Sequence, residues 1–313
     1  MIFAVIDLGT NTFNLLIAKK INHHSFQKLF NTKISVKLGE GAINKGYIAD
    51  VPFQRGIRAL RQFQSYLLKY NVDYTYAFAT SAVRSASNGK DFCEQAYQIA
   101  GIKIKIIDGN EEADLIYYGN RMAVPLDESP SLIMDIGGGS TEFIIGDKSH
   151  IIWKQSFLLG AARLLEKFNP SDPITANEIN LINTYLKQEL SPLLAITQQH
   201  KPTELIGSSG VFDSIIDIIA SKHHLPCISE AITEYSVDLT HYHEMSQLIK
   251  SSTLKERYQI NGLIDMRVDM IVISVLLIDF VLRELSISKL RVSTFSLKEG
   301  VVFQQLGSTN YLP

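Results

Sequence analysis

The chain has 313 residues, 46% of them hydrophobic and 20% charged, with a formal net charge of −2; this predicts two domains with real apolar cores and no disordered class. The two cysteines, Cys93 and Cys227, lie far apart and fit neither a disulfide nor a zinc framework. A reduced, cytoplasmic setting is therefore expected.

The first apolar run, 2–7, reads as a strand. Asp7, Thr10, Asn11 and Thr12 interrupt it and no basic segment precedes it, so it is a strand and turn and not a signal peptide. Strands follow at 13–20 and 26–38, then a helix over 50–70, a strand at 74–79, a helix over 91–100, an alternating strand at 102–107 and a helix over 110–122. Pro125 and Pro130 bracket an acidic turn, which predicts one domain over 1–123 and a second over 124–313. The second half restarts with strands at 131–136, 142–146 and 150–157, and helices at 160–168 and 176–199. A strand at 204–206 and a helix over 211–221 come next, then more helices through 230–285, a strand at 290–293 and a short last helix expected to pack back on the first domain. The oily stretch 270–282 contains Ser274 and Asp279 and is short for a membrane span, so a buried helix is expected. Each half opens with a β-meander and then alternates helix and strand, a mixed α/β layout. The first half is basic, with 15 Lys and Arg against 10 Asp and Glu in 1–123; the second is acidic, with 15 against 22. That asymmetry is compatible with an anionic substrate.

The chain also resembles itself at an offset of 128 residues. Asp7-Leu-Gly-Thr-Asn-Thr, between two apolar runs, falls on Asp135-Ile-Gly-Gly-Gly-Ser; Phe78-Ala-Thr-Ser-Ala-Val falls on Ile206-Gly-Ser-Ser-Gly-Val. Two matches in one register imply a duplication and two lobes of related fold.

A tight turn of small residues between strands exposes successive backbone amides, a concavity that binds anions. Gly137, Gly138 and Gly139 let a phosphate approach the backbone, and Ser140 and Thr141 add hydroxyl donors; Thr10 and Asn11 occupy the matching turn. Asp7 and Asp135 end their strands, where a carboxylate can hold Mg²⁺ directly or through water. A lone Gly-Gly-Gly-Ser is most simply a hairpin turn; its recurrence opposite a second Asp-Gly turn favours phosphate. No Gly-x-x-x-x-Gly-Lys-Ser/Thr motif occurs, and Gly39-Glu-Gly-Ala-Ile-Asn44 mimics a dinucleotide fingerprint poorly.

Taken in order, Asp7-Leu-Gly-Thr-Asn-Thr, Ala79-Thr-Ser-Ala-Val-Arg84, Asp108-Gly-Asn-Glu-Glu-Ala113 and Asp135-Ile-Gly-Gly-Gly-Ser-Thr-Glu142 resemble motifs of the exopolyphosphatase/guanosine pentaphosphate phosphatase family. Leu159-Gly-Ala-Ala-Arg163, Gly207-Ser-Ser-Gly210, Arg267-Val-Asp269 and Leu297-Lys-Glu-Gly300 extend the resemblance over nearly the whole chain. It implies a duplicated ribonuclease-H-like fold shared with actin, sugar kinases and heat-shock chaperones, here in a short two-lobe form. It also implies Mg²⁺-dependent release of the terminal phosphate of polyphosphate or of guanosine pentaphosphate. No nucleic-acid polymer or membrane partner is expected, and family analogy suggests a homodimer. Glu112 matches the proposed base for the attacking water, Glu142 a metal-binding or water-polarising carboxylate, and Arg84 a phosphate-binding arginine whose planar fork suits phosphate oxygens. Ser208, Ser209 and Gly210 match a second phosphate turn, although a strand-to-helix cap needs the same residues. Arg267 and Asp269 are expected to pair with each other or to cap the oily helix, and the histidines at 23–24, 223–224, 241 and 243 to be surface groups. Thr294 and Lys298 stand where the family carries Asp and Arg, which bears on lobe closure and on distal phosphates. The short form and the acidic balance predict a preference for short chains or pentaphosphate nucleotides. An ATP-dependent kinase or ATPase of the same superfold and a non-catalytic polyphosphate sensor are the competing readings.

Overall fold

The computed structural model describes residues 1–22, 25–229 and 231–307. Strands β1 (Ile2–Leu8), β2 (Thr12–Lys20) and β3 (Phe26–Ser35) form an antiparallel meander. After α1 (Asp50–Lys69) the chain returns parallel to β1 as β4 (Tyr74–Ala79); α2 (Ser81–Ser85) and α3 (Gly89–Ala100) lead to the parallel strand β5 (Ile104–Ile106), giving the order β3-β2-β1-β4-β5. Helix α4 (Gly109–Ala123) precedes the second sheet, whose meander is β6 (Ser131–Ile136), β7 (Thr141–Gly146) and β8 (Ile151–Phe157). Helices α5 (Ala161–Phe168), α6 (Ala176–Glu189) and α7 (Ser191–His200) lead to β9 (Glu204–Ser208), parallel to β6. Then come α8 (Gly210–His223), β10 (Glu234–Val237), α9 (Leu239–Ser251), α10 (Leu254–Arg257), α11 (Ile271–Glu284), β11 (Lys289–Ser293) and α12 (Leu297–Gly307). The second order, β10-β11-β9-β6-β7-β8, repeats the first with β10 added at the edge. This is a duplicated ribonuclease-H-like α/β fold, two lobes about a cleft.

Why the central strands are apolar on both faces follows from what covers them. Ala4, Ile6 and Leu8 pack outward with Ile57, Leu60 and Phe92 of α1 and α3. Phe3 and Val5, on the opposite face, join a core with Ile116 of α4, Val301 of α12 and Ile133, Ile144 and Ile206 of the second sheet. Leu132, Met134, Phe143 and Ile145 face outward onto α8 and α11. The two sheets therefore share α4 and α12 as a middle layer. Those helices touch backbone to backbone: a Cβ on Gly119 would lie 2.0 Å from Ser296 O, and one on Gly300 1.8 Å from Leu115 O.

Several expectations need correction. β3 stops at Ser35 because the amides of Val36 and Lys37 turn to Asn11 O, both at 2.8 Å, and Lys37 adopts a φ of 46°. The helix expected over 176–199 breaks at Leu190, where Pro192 opens α7. Residues 234–237, expected within a helical region, form β10 against β11. Asp7 stands opposite Phe78, whereas Asp135 stands opposite Ser208. Phe78 thus answers to Ser208 and not to Ile206: the duplication is real, but its second match is displaced by two residues. Among the described residues no helix is long and apolar enough to cross a membrane.

Candidate active site

The two Asp-Gly turns meet tip to tip. A Cβ on Gly138 would lie 2.5 Å from Asn11 Nδ2, and one on Gly139 would lie 2.6 Å from Thr10 Oγ1 and 2.7 Å from Ser81 Oγ. Only glycine permits that approach. Asn11 Nδ2 reaches on to Met270 Sδ at 2.8 Å. Beside the tips opens a cleft of about 640 Å³, lined by Asp7, Ser81 and Glu112 from one lobe and Asp135, Ser140 and Arg267 from the other.

What would suit the second turn to an anion is the way its carbonyls are held. Ala161 N–H donates to Gly137 O at 2.9 Å, and the amides of Ala162 and Arg163 donate to Gly138 O at 2.9 and 3.1 Å. Arg163 Nε donates to Gly139 O at 3.0 Å. In a trans peptide the N–H points opposite to the C=O. Tying three carbonyls back to α5 therefore turns the amides of Gly138, Gly139 and Ser140 toward the cleft. Among the described residues none of these amides has a protein acceptor. Gly160 is required behind them, since a Cβ there would lie 2.3 Å from Gly139 N.

Strand parity places the carboxylates. Asp7 shares the inward face of β1 with Phe3 and Val5; Asp135 shares that of β6 with Ile133, and Glu142 that of β7 with Ile144. All three face the middle layer, where the side chain of Asp108 caps α4 through the amides of Asn110 and Glu111, both at 2.8 Å, and sets Glu112 in its first turn. Glu112 is 6% exposed and accepts Arg84 Nη1 at 2.7 Å. Burial first, then the neighbouring charge of Glu142, raises the Glu112 carboxyl well above its ordinary value, against the pull of Arg84. Glu142, 1% exposed, accepts Ser156 Oγ at 2.7 Å; burial and the nearby Asp135 push it up to about 7. Asp7 is pushed up to about 6 by burial, although Asn14 Nδ2 donates to it at 3.0 Å. Asp135 is raised by burial despite hydroxyls from Ser208, at 2.6 Å, and Ser296.

Some expected site residues point elsewhere. Arg84 donates from Nη1 to Glu112 and to Ile107 O at 3.0 Å and does not itself line the cleft, so what it is seen to hold is the carboxylate. The Thr141 hydroxyl is buried against Leu159 O at 3.0 Å, and the Ser208 hydroxyl is given to Asp135. Ser209 and Gly210 do line the cleft, Ser209 with a φ of 78° and its hydroxyl on Ile136 O at 3.0 Å. Arg267 and Asp269 neither pair with each other nor cap α11: Arg267 donates to Ser214 Oγ at 2.8 Å and lies 3.8 Å from Asp213, while Asp269 pairs across the lobes with Lys37 at 2.6 Å. Lys298 also lines the cleft, with its ammonium 3.0 Å from Glu299 and its charge facing Asp7 and Asp213. His223 belongs to the end of α8 and stacks on His241 with centroids 3.7 Å apart, away from the cleft; His23 and His24 lie outside the described residues.

Ser81 was not singled out by sequence, yet its hydroxyl is buried with no partner among the described residues and lines the cleft against Gly139. The signal that could have found it is its place at the start of a helix directly after a strand of the sheet that carries Asp7. Among the described residues no three acidic, histidine or cysteine side chains close on one point as a ready-made metal cage. The donor set is nonetheless one a hard cation suits: buried carboxylate oxygens that repel one another, with room in the cleft for the waters that Mg²⁺ retains.

A family model described as the Ppx/GppA phosphatase family matches residues 16–309. The crystal structure of an exopolyphosphatase from Cytophaga hutchinsonii is 39% identical to this chain, with a TM-score of 0.95 over 98% of each chain. A Haemophilus influenzae protein provisionally named an exopolyphosphatase is 28% identical over 305 residues, 96% of this chain and 90% of its own. An Aquifex aeolicus PPX-GPPA enzyme, 22% identical with a TM-score of 0.79 over 97% of this chain and 99% of its own, shares the fold.

Proposed function

The chain belongs to the Ppx/GppA phosphatase family, and from that premise we propose that it releases the terminal phosphate of inorganic polyphosphate. One observation carries the reading: three acceptor-free amides, Gly138, Gly139 and Ser140, face a cleft that also holds the buried Glu112. The amides and the Ser81 hydroxyl receive the equatorial oxygens of the terminal phosphoryl group, where charge gathers in the transition state. A water oxygen attacks the terminal phosphorus, its proton passes to Glu112, and the bridging P–O bond breaks to leave a chain one phosphate shorter. Raised basicity suits Glu112 to that role near neutral pH, and Arg84 fixes its orientation. Asp7, Asp135 and Glu142 would hold Mg²⁺, which when bound supplies charge neutralisation on the phosphate oxygens.

A second reading, guanosine pentaphosphate, is favoured by one feature: Ile228, Met266, Met270 and Ile271 line the same cleft and offer apolar room for a base. The test is phosphate release from tripolyphosphate, longer polyphosphate, guanosine pentaphosphate and ATP, each with Mg²⁺, by wild type and Glu112→Gln. Polyphosphate turnover that drops about 10²–10⁴-fold in Glu112→Gln supports the proposal. Turnover of ATP alone would favour the kinase-like reading, binding without turnover the sensor, and an unchanged rate in Glu112→Gln would remove that residue from the base role.

A further inference from the structure

Arg163 does not line the cleft, yet its guanidinium joins three separate parts of the site. Nε holds Gly139 O at 3.0 Å, the last of the three carbonyls whose tethering aims the cradle amides. Nη1 crosses to the first lobe and donates to Ile43 O at 3.0 Å and to Asn44 Oδ1 at 3.4 Å. Nη2 reaches Ser85 Oγ at 3.4 Å, at the end of the short helix α2, in which the residue before Ser85, Arg84, grips Glu112. The contact is reinforced beside it, because Asn44 Nδ2 donates to Arg163 O at 3.0 Å and Asn44 N to Glu166 Oε1 at 3.3 Å.

We propose that Arg163 is a positioning residue that couples closure of the two lobes to the orientation of the phosphate cradle. The guanidinium is a rigid planar fork, so its donors cannot follow two partners that move apart. When the first lobe swings away, the residue 43–44 turn and Ser85 leave its Nη atoms, and the arginine loses the anchors that fix its plane. Gly139 O then loses its donor, and the Gly139–Ser140 peptide, free of a Cβ on its first residue, can rotate its amide out of the cleft. Closure thus does two things through one side chain: it aims the Ser140 amide and seats α2, with Arg84, against Glu112. Phosphoryl transfer is assembled only in the closed molecule. The inference rests on the phosphatase reading above and adds to it a reason for the Leu159-Gly-Ala-Ala-Arg163 motif.

The experiment compares wild type, Arg163→Met, Arg163→Lys and the double variant Asn44→Ala/Ser85→Ala, which removes only cross-lobe partners. Hydrolysis of tripolyphosphate is followed for kcat and KM. Misplacing a catalytic group by about 1 Å costs roughly 10²-fold, so Arg163→Met is expected to lose about that factor in kcat while KM changes little. Arg163→Lys, a point charge without the fork, recovers only a minor part. Asn44→Ala/Ser85→Ala lowers kcat in the wild-type background and lowers it clearly less in Arg163→Met, where of the contacts to residue 163 only the Asn44 Nδ2 bond to its carbonyl remains to be lost. A kcat for Arg163→Met within twofold of wild type, or equal losses from Asn44→Ala/Ser85→Ala in both backgrounds, overturns the coupling. If Arg163→Met does not fold, the Asn44→Ala/Ser85→Ala variant alone decides, and no loss of kcat overturns it. If wild type hydrolyses nothing, it is the phosphatase reading that has failed, and hydrogen exchange with saturating inorganic phosphate then decides the coupling. Slower exchange at 43–46 in wild type but not in Arg163→Met sustains it; equal protection in both refutes it.

Discussion

Replacing Glu142 by Gln should make the protein more stable and less active. Glu142 is 1% exposed, and its carboxyl moves from an ordinary 4.5 to about 7 in the folded protein. Its folded value lies above its unfolded one, so the folded state holds the proton more tightly. Stability is therefore greatest at or below pH 4.5, falls as pH rises toward 7, and carries the full penalty above that. The interval between 4.5 and about 7 corresponds to roughly 3 kcal/mol once the group is ionised. Gln keeps an oxygen for the Ser156 hydroxyl and removes the charge. In EDTA at pH 8 the variant should gain up to about 3 kcal/mol by urea unfolding, with a Tm higher by several degrees. At pH 4.5 most of the difference should vanish. Phosphate release should fall sharply in the same variant, because a charge concentrated at the cleft is destabilising for the fold and useful for the chemistry. Mg²⁺ added at pH 8 should stabilise wild type more than the variant, through the same charge. A Glu142→Gln protein no more stable than wild type at pH 8 in EDTA would refute the idea that Glu142 is a strained, buried anion.

Ser81→Ala removes a buried hydroxyl that has no partner among the described residues; the folded protein should be unchanged or more stable by about 1 kcal/mol, while KM for tripolyphosphate rises several-fold, as steady-state assays would report. Gly160→Ala drives a Cβ to within 2.3 Å of Gly139 N, and overpacking of this kind costs about 1–3 kcal/mol, so urea unfolding should register that loss together with weaker phosphate binding. Glu204 is pushed up by burial, but the Ser131 hydroxyl, Lys289 and Arg291 outweigh it and hold the carboxyl below its ordinary 4.5. Its stabilising contribution is complete above pH 4.5 and fades as pH falls through the lower folded value, so Glu204→Gln should unfold at lower urea than wild type at pH 7, and the gap should shrink in acid.

Most of the fold was legible because its signals are local. The run Phe3-Ala-Val-Ile6 is apolar on both faces, and that is what a central strand between two helix layers needs. Once Asp7 and Asp135 were placed at strand ends, parity alone sent both inward, and Glu142 with them. What could not be read depends on partners far along the chain. β10 is four residues long and exists because β11 offers it an edge; in isolation Glu234-Tyr-Ser-Val carries little strand signal. Asp269 finds Lys37 at a separation of 232 residues, and Arg267 finds Ser214 and Asp213, so the adjacent pair that looked like mutual partners divides. Ser208 looked like a phosphate donor because its turn has the right composition, but its hydroxyl answers to Asp135.

The duplication explains more than its sequence trace. In the second lobe the segment after the third strand, opening α5, ties down the carbonyls of Gly137, Gly138 and Gly139. In the first lobe the segment after the third strand does the same with no helix: the amides of Val36 and Lys37 hold Asn11 O, and Leu38 N holds Thr10 O at 2.6 Å. Each turn is thus aimed by its own lobe's next segment, and in both the peptide geometry turns the following amide away from the tether. The holder differs, loop against helix, so sequence comparison detects the turns and misses the device behind them. Only the helical version carries an arginine that reaches the opposite lobe. The symmetry of the fold is broken at that side chain: the second turn's holder reaches the first lobe through the same guanidinium that tethers Gly139 O, whereas the first turn's holder reaches the second lobe through Lys37, whose amide grips Asn11 O while its ammonium pairs with Asp269.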